Sequence, residues 1–435
     1  MIVNLIGLTR KRWLFSFYYD KIIIEVVMKI DKNKLLVYYL CLNIINLVFG
    51  MLLRTYKVIN YKIFSYSLIG LMFVNLIIIF YLVKNKYKKN NADIFIILCF
   101  VFSLISTIFS KFYNLSLYGS IFRYEGFLQL MYYYSLIFIS SYIDNNKKIY
   151  IYKTIIFTGL FHSLYAIIQS FDLFKFINIV NRGILPSRGL VTNANFLSTY
   201  LLISICYVMY VLIDKIDIKY YLMYFILLIG FILSNTLSGV IALICLFLLF
   251  FIYYVRNKRY KYILFFIIPF ILLLLLMSRF KYTTILNDLI NTNNEIVDIT
   301  NGNLDDNFGT GRLFVWKESI KVIPKYWLHG CGVDNFFNAF DRKLFYNNQI
   351  YDRAHNELLN LLVTEGVFAF LSYIGLLIVC CFNKFNKFVK NNEINICLFV
   401  VIVYLVQSMF NIRVIEVAPI FYISLGMLIN RNDDD

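Results

Sequence analysis

Apolar runs of about 17 to 25 residues, the length a helix needs to cross the hydrocarbon core of a bilayer, recur along almost the whole of this 435-residue chain. About twelve can be delimited on a transfer-hydropathy reading. They are 35–53, 63–83, 94–109, 127–143, 149–171, 195–213, 218–234, 237–255, 261–278, 358–382, 394–410 and 416–429. Two are less sharply marked: the seventh and eighth are parted only by SNTLSG (234–239), and the twelfth is short and contains Pro419. With 60% apolar and 15% charged residues and a mean hydropathy of +0.71, the chain falls outside the range of soluble domains. The expected fold class is an all-α polytopic membrane protein of about twelve transmembrane helices.

In such a protein a net charge of +17 concerns topology before it concerns partners, because Lys and Arg concentrate in short cytoplasmic loops. If the N-terminus is inside, the cytoplasmic segments collect KNKYKKNN (84–91), RNKRYK (256–261), NKFNKFVKNN (383–392) and the pairs Lys147/Lys148 and Lys215/Lys219. The opposite short loops are poorer in cations. The expected organisation is then a basic cytoplasmic segment at 1–34, nine spans over 35–278, a long extracytoplasmic loop at 279–357, three spans over 358–429 and a cytoplasmic tail at 430–435. Both termini lie in the cytoplasm, shorter external loops fall near 110–126 and 172–194, and no nucleic-acid partner is expected. No cleavage site follows the first residues, so the first span is the expected targeting signal and Met28 is an alternative start. Seven of the eight cysteines lie in apolar runs and no CxxC occurs, which argues against a disulfide framework or a zinc site.

The expected external loops carry the polar stretches. YGSIFRYEGFLQL (118–130) holds Arg123 and Glu125, and ILPSRGLVTNANFLSTYL (184–201) holds Arg188, Asn193 and Asn195. GTGRLFVWKESIKVIPKYWLHGCGVDNF (309–336) holds Arg312, Trp316 and His329, and YDRAHNELLNLLVTEG (351–366) holds Arg353, His355, Asn356 and Glu365. The guanidinium fork binds phosphate oxygens in pairs and stays charged at every physiological pH. Histidine can take a proton from a hydroxyl. Glycosyl transfer from a lipid pyrophosphate requires those two functions, and arginine charge can stabilise the leaving group without a metal or other cofactor. No Asp-x-Asp pair suited to a metal-bound nucleotide sugar appears in the expected external loops, since Asp305 and Asp306 are adjacent in an Asn/Gly-rich stretch.

The spacing of these residues resembles the O-antigen ligase and O-antigen polymerase family. The similar elements are Gly311, Arg312, Trp316, Pro324, Gly330 and Gly332 in the long loop, then His355, Asn356, Glu365 and Gly366; RYEG (123–126), TNANF (192–196) and NIRVIEVAPIFYISLG (411–426) are weaker. The resemblance implies a C-type glycosyltransferase-like fold whose long loop is partly helical and covers an external cavity. It implies inverting, metal-independent transfer or polymerisation of an oligosaccharide from a polyprenyl pyrophosphate donor to a glycan, lipid or protein hydroxyl, at the outer face of the cytoplasmic membrane. His355 would be the base and Arg312 the pyrophosphate ligand. Arg123, Arg188, Asn195, Arg353 and Asn356 would hold donor or glycan, with Glu365 and Trp316 behind them. The chain departs from the family at Leu237, where an arginine is usual, and Arg188 or Arg353 would have to supply that charge. Plainer roles exist for the same residues: Asn356 as a helix cap, Arg312 paired with Glu318, and Arg123 and Arg188 as interfacial anchors. The rival reading is a lipid-linked oligosaccharide flippase or other transporter, which would need charge along a path joining both faces.

Overall fold

The computed structural model describes residues 31–171, 186–300, 306, 308–340, 344–346 and 349–432. The basic stretch at 1–30, Met28, residues 172–185 of the second expected external loop, and Asp305 lie outside the described residues.

A helix stands on each of the twelve apolar runs. They are α1 (Lys32–Thr55), α2 (Tyr61–Lys86), α3 (Ala92–Ile108), α5 (Phe127–Ser140), α6 (Lys148–Phe171), α7 (Ala194–Val211), α8 (Ile218–Leu233), α9 (Leu237–Arg256), α10 (Leu264–Arg279), α13 (Glu357–Asn391), α14 (Ile396–Ser408) and α15 (Ala418–Ile429), with a short α4 (Tyr113–Tyr118) after α3. Seven helices are long and apolar enough to cross a membrane, and five apolar ones are shorter. The molecule is an all-α polytopic membrane protein. Runs seven and eight are separate helices because Asn235 turns the chain with φ of 53°, and its side-chain oxygen accepts from Thr283 Oγ1 and the Thr284 amide. Pro419 sits in the first turn of α15, where its missing N–H has no intrahelical partner to lose.

Contacts between remote segments define two ends. Arg54 meets Glu416, Ser110 meets Cys331 and Ser187 meets Leu233 at one end. Arg431 meets Asp93 and Ser141, Lys148 meets Met427, and Arg256 meets Phe388 and Val389 at the other. The helices alternate between these ends along the chain. At the first end, the described residues between 280 and 356 form a cap containing α11 (Ile285–Thr300), α12 (Phe308–Tyr326) and a hairpin of two-residue strands, β1 (Phe345–Tyr346) and β2 (Gln349–Ile350). The cap has its own small core of Val315, Cys331, Phe336, Ala339, Leu344, Tyr351 and Ala354, which continues to Val363 of α13.

Two features sink polar backbone into the bundle. α14 and α15 have 13 and 12 residues, hence rise only about 20 Å and 18 Å, against a hydrocarbon core of about 30 Å. Their connection is accordingly interior, and Asn411 through Val417 are all buried. The tenth run is not one continuous helix: Gly366 breaks α13 with φ of 83° and ψ of 178°. The cap repairs that break. The Cys331 amide donates to Val363 O (3.0 Å), the Gly332 amide to Thr364 O (2.9 Å), and the Val367 amide to Trp327 O (2.8 Å). From α3, Ser106 Oγ donates to Thr364 O at 2.8 Å. Non-helical backbone is tolerated at such depth only when protein groups satisfy it. Gly330 has φ of 75°, and a Cβ there would lie 2.1 Å from Thr364 O, so the glycines of HGCG and TEG are the two sides of one seam.

Candidate active site

His355 closes the cap just ahead of α13. Its backbone is left-handed, with φ of 50°, uncommon for a residue with a side chain. The conformation is held from both sides. Trp316 Nε1 of α12 donates to Ala354 O at 3.1 Å, the Ala354 amide donates to Asn360 Oδ1 at 3.3 Å, and Asn356 caps α13 by accepting from the Leu359 amide at 3.0 Å. The imidazole packs edge-on against Tyr351, with ring centroids 5.7 Å apart. Burial, then the positive charge of Arg312, press its pKa below the usual value to about 4, against the opposing pull of Asp352. The ring is therefore neutral at physiological pH and has a lone pair to offer.

Arg312 follows three residues in left-handed conformation, Gly309, Thr310 and Gly311, with φ of 61°, 63° and 84°. That turn redirects the chain into α12. Its hydrogen bonds run from Nη1, to Gly309 O (2.8 Å) and Thr310 Oγ1 (3.2 Å), while its buried Nε has no partner among the described residues. Burial lowers its pKa. Glu318 and Asp306, the carboxylates nearest in sequence, pair with Lys321 and Lys317 instead. Among the described residues, no carboxylate lies within ion-pair distance of Arg312.

The remaining arginines here are differently placed. Arg123 donates through two nitrogens to Asp352, at 2.5 Å and 3.0 Å. Burial opposes charge on Asp352, but Arg123 outweighs it and holds the carboxyl below its usual pKa. Arg353, only 2% exposed, pairs with Asp334 at 2.5 Å and Glu125 at 3.1 Å. Its charge is matched there and does not stand in for the arginine missing at Leu237. Arg188 donates to Thr192 O at 3.3 Å on the far side of the Glu416 cluster. Asn195 serves the start of α7: its carbonyl accepts from Gln407 and its side chain from Ser238, and no contact joins it to His355. Glu365 accepts from Ser103 and lies 3.6 Å from Arg413.

Several members of this network escaped the sequence reading. Arg413 bridges Glu125 (3.5 Å) and Glu365 (3.6 Å). Glu416 receives Arg54 (2.8 Å), Tyr61 (3.0 Å) and Thr192 (2.9 Å). Asp334 accepts from the Ser120 and Glu125 amides, fixing the RYEG turn beneath the cap, and Glu357 accepts from Tyr404 at 2.9 Å. Only the weak 411–426 resemblance pointed toward Arg413 and Glu416. His162 lies tilted against Tyr200 inside the bundle, with ring centroids 4.4 Å apart, and His329 bonds its neighbour Gly330. Among the described residues, no three His, Cys, Asp or Glu side chains group as a metal ion would require.

Residues 222–374 match the family model described as O-antigen ligase. That segment, about a third of the chain, is similar to the O-antigen ligase domain. The matched segment runs from α8 through the break in α13, so it takes in Arg312, Trp316, the Gly330–Gly366 seam, Arg353 and His355 and leaves out Arg123, Arg188 and Arg413. The match supports reading this O-antigen ligase-like protein as a membrane enzyme of glycan transfer, a family whose members imply a lipid-linked glycan donor. No curated protein matches the chain.

Proposed function

We propose that this O-antigen ligase-like enzyme transfers or polymerises an oligosaccharide from a polyprenyl pyrophosphate carrier onto an acceptor hydroxyl, at the outer face of the cytoplasmic membrane with both termini inside. The observation that carries the reading is the contrast among arginines. Arg123, Arg353 and Arg413 face carboxylates, whereas Arg312 is largely buried without one, beside a neutral histidine. A buried cation lacking its anion is costly unless a ligand brings one.

On this reading the free guanidinium edge of Arg312 receives the pyrophosphate oxygens and stabilises the charge that grows on the leaving group. His355 removes the proton from the acceptor hydroxyl as its oxygen attacks the anomeric carbon from the side opposite the pyrophosphate, inverting that centre. Neither step calls for a metal. The basic segments KNKYKKNN, RNKRYK and NKFNKFVKNN all fall at the end away from His355, which supports placing that end in the cytoplasm.

The test is cell-free transfer by the purified full chain in detergent, from a lipid pyrophosphate-linked oligosaccharide to a soluble glycan acceptor. Wild type gives product. His355→Ala is expected to lose at least about 100-fold with the protein level unchanged, and Arg312→Lys is expected to recover little of what Arg312→Ala loses, because an ammonium lacks the fork. A wild-type protein that moves lipid-linked sugar between vesicle leaflets but makes no product in detergent would point to the transporter reading.

A further inference from the structure

The end of the bundle remote from His355 holds a cavity of about 1220 Å³, and its lining is chemically one-sided. Three chain segments converge on it: the α2–α3 connection with Lys88 and Lys89, the last turns of α13 with Lys384, Lys387 and Lys390, and the end of α15 with Arg431. Six asparagines complete the rim, Val379, Cys380, Leu428 and Ile429 form the apolar part, and among the described residues no carboxylate lines it. Arg431 is already engaged by Asp93 and stacked on Phe138. Among the described residues, no carboxylate lies within ion-pair distance of Lys384, Lys387 or Lys390.

A cytoplasmic end is expected to be basic, but that rule asks only for cations in the loops, not for their convergence. Here two basic stretches from opposite ends of the sequence are folded onto one concavity, above an apolar floor. The depth suits a headgroup. From Val367 to Asn391, α13 rises about 37 Å at 1.5 Å per residue, more than the hydrocarbon core, so its lysine-bearing turns emerge at the level of lipid phosphates. Lysines at positions 384, 387 and 390 share one helix face. Ammonium and amide donors around an apolar floor complement a phosphate carried on acyl chains.

We propose that this cavity is a second anion site of the protein, separate from the transfer site, which binds the phosphate of an anionic membrane lipid headgroup. The shared chemistry is phosphate, and the experiment separates lipid-borne from free phosphate. The full-length protein is placed in nanodiscs of phosphatidylcholine alone, of phosphatidylcholine with phosphatidylglycerol, and of phosphatidylcholine with added inorganic phosphate, and its thermal midpoint is read. Phosphatidylglycerol is expected to raise the midpoint by about 2–4 °C, with more of it retained in native mass spectra.

Lys384→Gln/Lys387→Gln/Lys390→Gln is expected to lose at least half of that rise. The corresponding triple Arg variant is expected to keep it, as is Lys258→Gln/Lys261→Gln, two exposed cations at the same end outside the cavity. A rise produced equally by inorganic phosphate alone keeps the site but assigns it to the free anion. No rise in the wild type, or an undiminished rise in the triple Gln variant, overturns the proposal.

Discussion

On the proposed reading, an arginine that meets the donor and one that holds the fold differ in what each guanidinium faces. Removing Arg353 would strand the buried Asp334 without a counter-charge and leave Glu125 to Arg413 alone, which costs about 3–5 kcal/mol. Arg353→Ala is therefore expected to reduce folded protein and its thermal midpoint, while normally folded protein with a raised donor requirement would instead make Arg353 a donor contact. His355 carries a pH prediction. Its conjugate acid is disfavoured by burial and by Arg312, so the imidazole stays neutral as pH falls until about 4. The acid limb of kcat/KM, which reports the free enzyme, is expected near that value rather than near 6.5. A bound pyrophosphate adds negative charge and favours imidazolium, so the limb in kcat is expected at higher pH. A limb in kcat below that in kcat/KM would remove the donor phosphate from His355's surroundings. The histidine at a polar–apolar border was legible from sequence. The pairings around it were not: Arg54 and Glu416 are 362 residues apart, and Arg353 and Glu125 are 228 apart, separations that one sequence does not encode as a pattern.

Among the elements, hydrophobic length located the bundle helices to within a few residues, except that the tenth runs nine residues past its expected end, to Asn391, since burial and hydrogen bonding leave an apolar run of that size little else to form. The same criterion passed straight through the break in α13, because apolar residues continue on both sides of Gly366 and no proline marks it. The break is imposed by tertiary contact with the cap. Gly330→Ala should accordingly be poorly tolerated, since φ of 75° and a carbonyl oxygen at 2.1 Å leave no room for a methyl group. Gly70→Ala, where nothing lies within 4 Å of the added carbon, serves as the control and should leave protein level and thermal midpoint near wild type. Equal loss in both variants would show sensitivity to any glycine replacement and not to the seam. Trp316 is likewise explained by the fold: its indole bond to Ala354 O ties α12 to the backbone that presents His355.

At the scale of the molecule, charge is sorted into two populations. At the His355 end it is buried and largely paired; at the other it is cationic and gathered around a cavity. If the first end is extracytoplasmic, Lys57→Cys should react with a membrane-impermeant thiol reagent in intact cells and Lys258→Cys only after permeabilisation. The background is low, because the eight native cysteines are all buried or half-buried. The reverse labelling pattern would invert the proposed topology and move glycan transfer to the cytoplasmic face.

The seam between Trp327–Gly332 and Val363–Val367 also bears on how such enzymes can be recombined. The two strips close hydrogen bonds that neither can close with lipid or with a foreign surface, and an open backbone group in hydrocarbon costs several kcal/mol. A chimera that borrows another protein's cap to change the acceptor is expected to assemble when the junction lies beyond Val367, so that both strips come from one parent. Cut at the apparent start of the helix, at Glu357, it should fail to insert stably. The cap and the first turns of α13 are, in this architecture, inherited together.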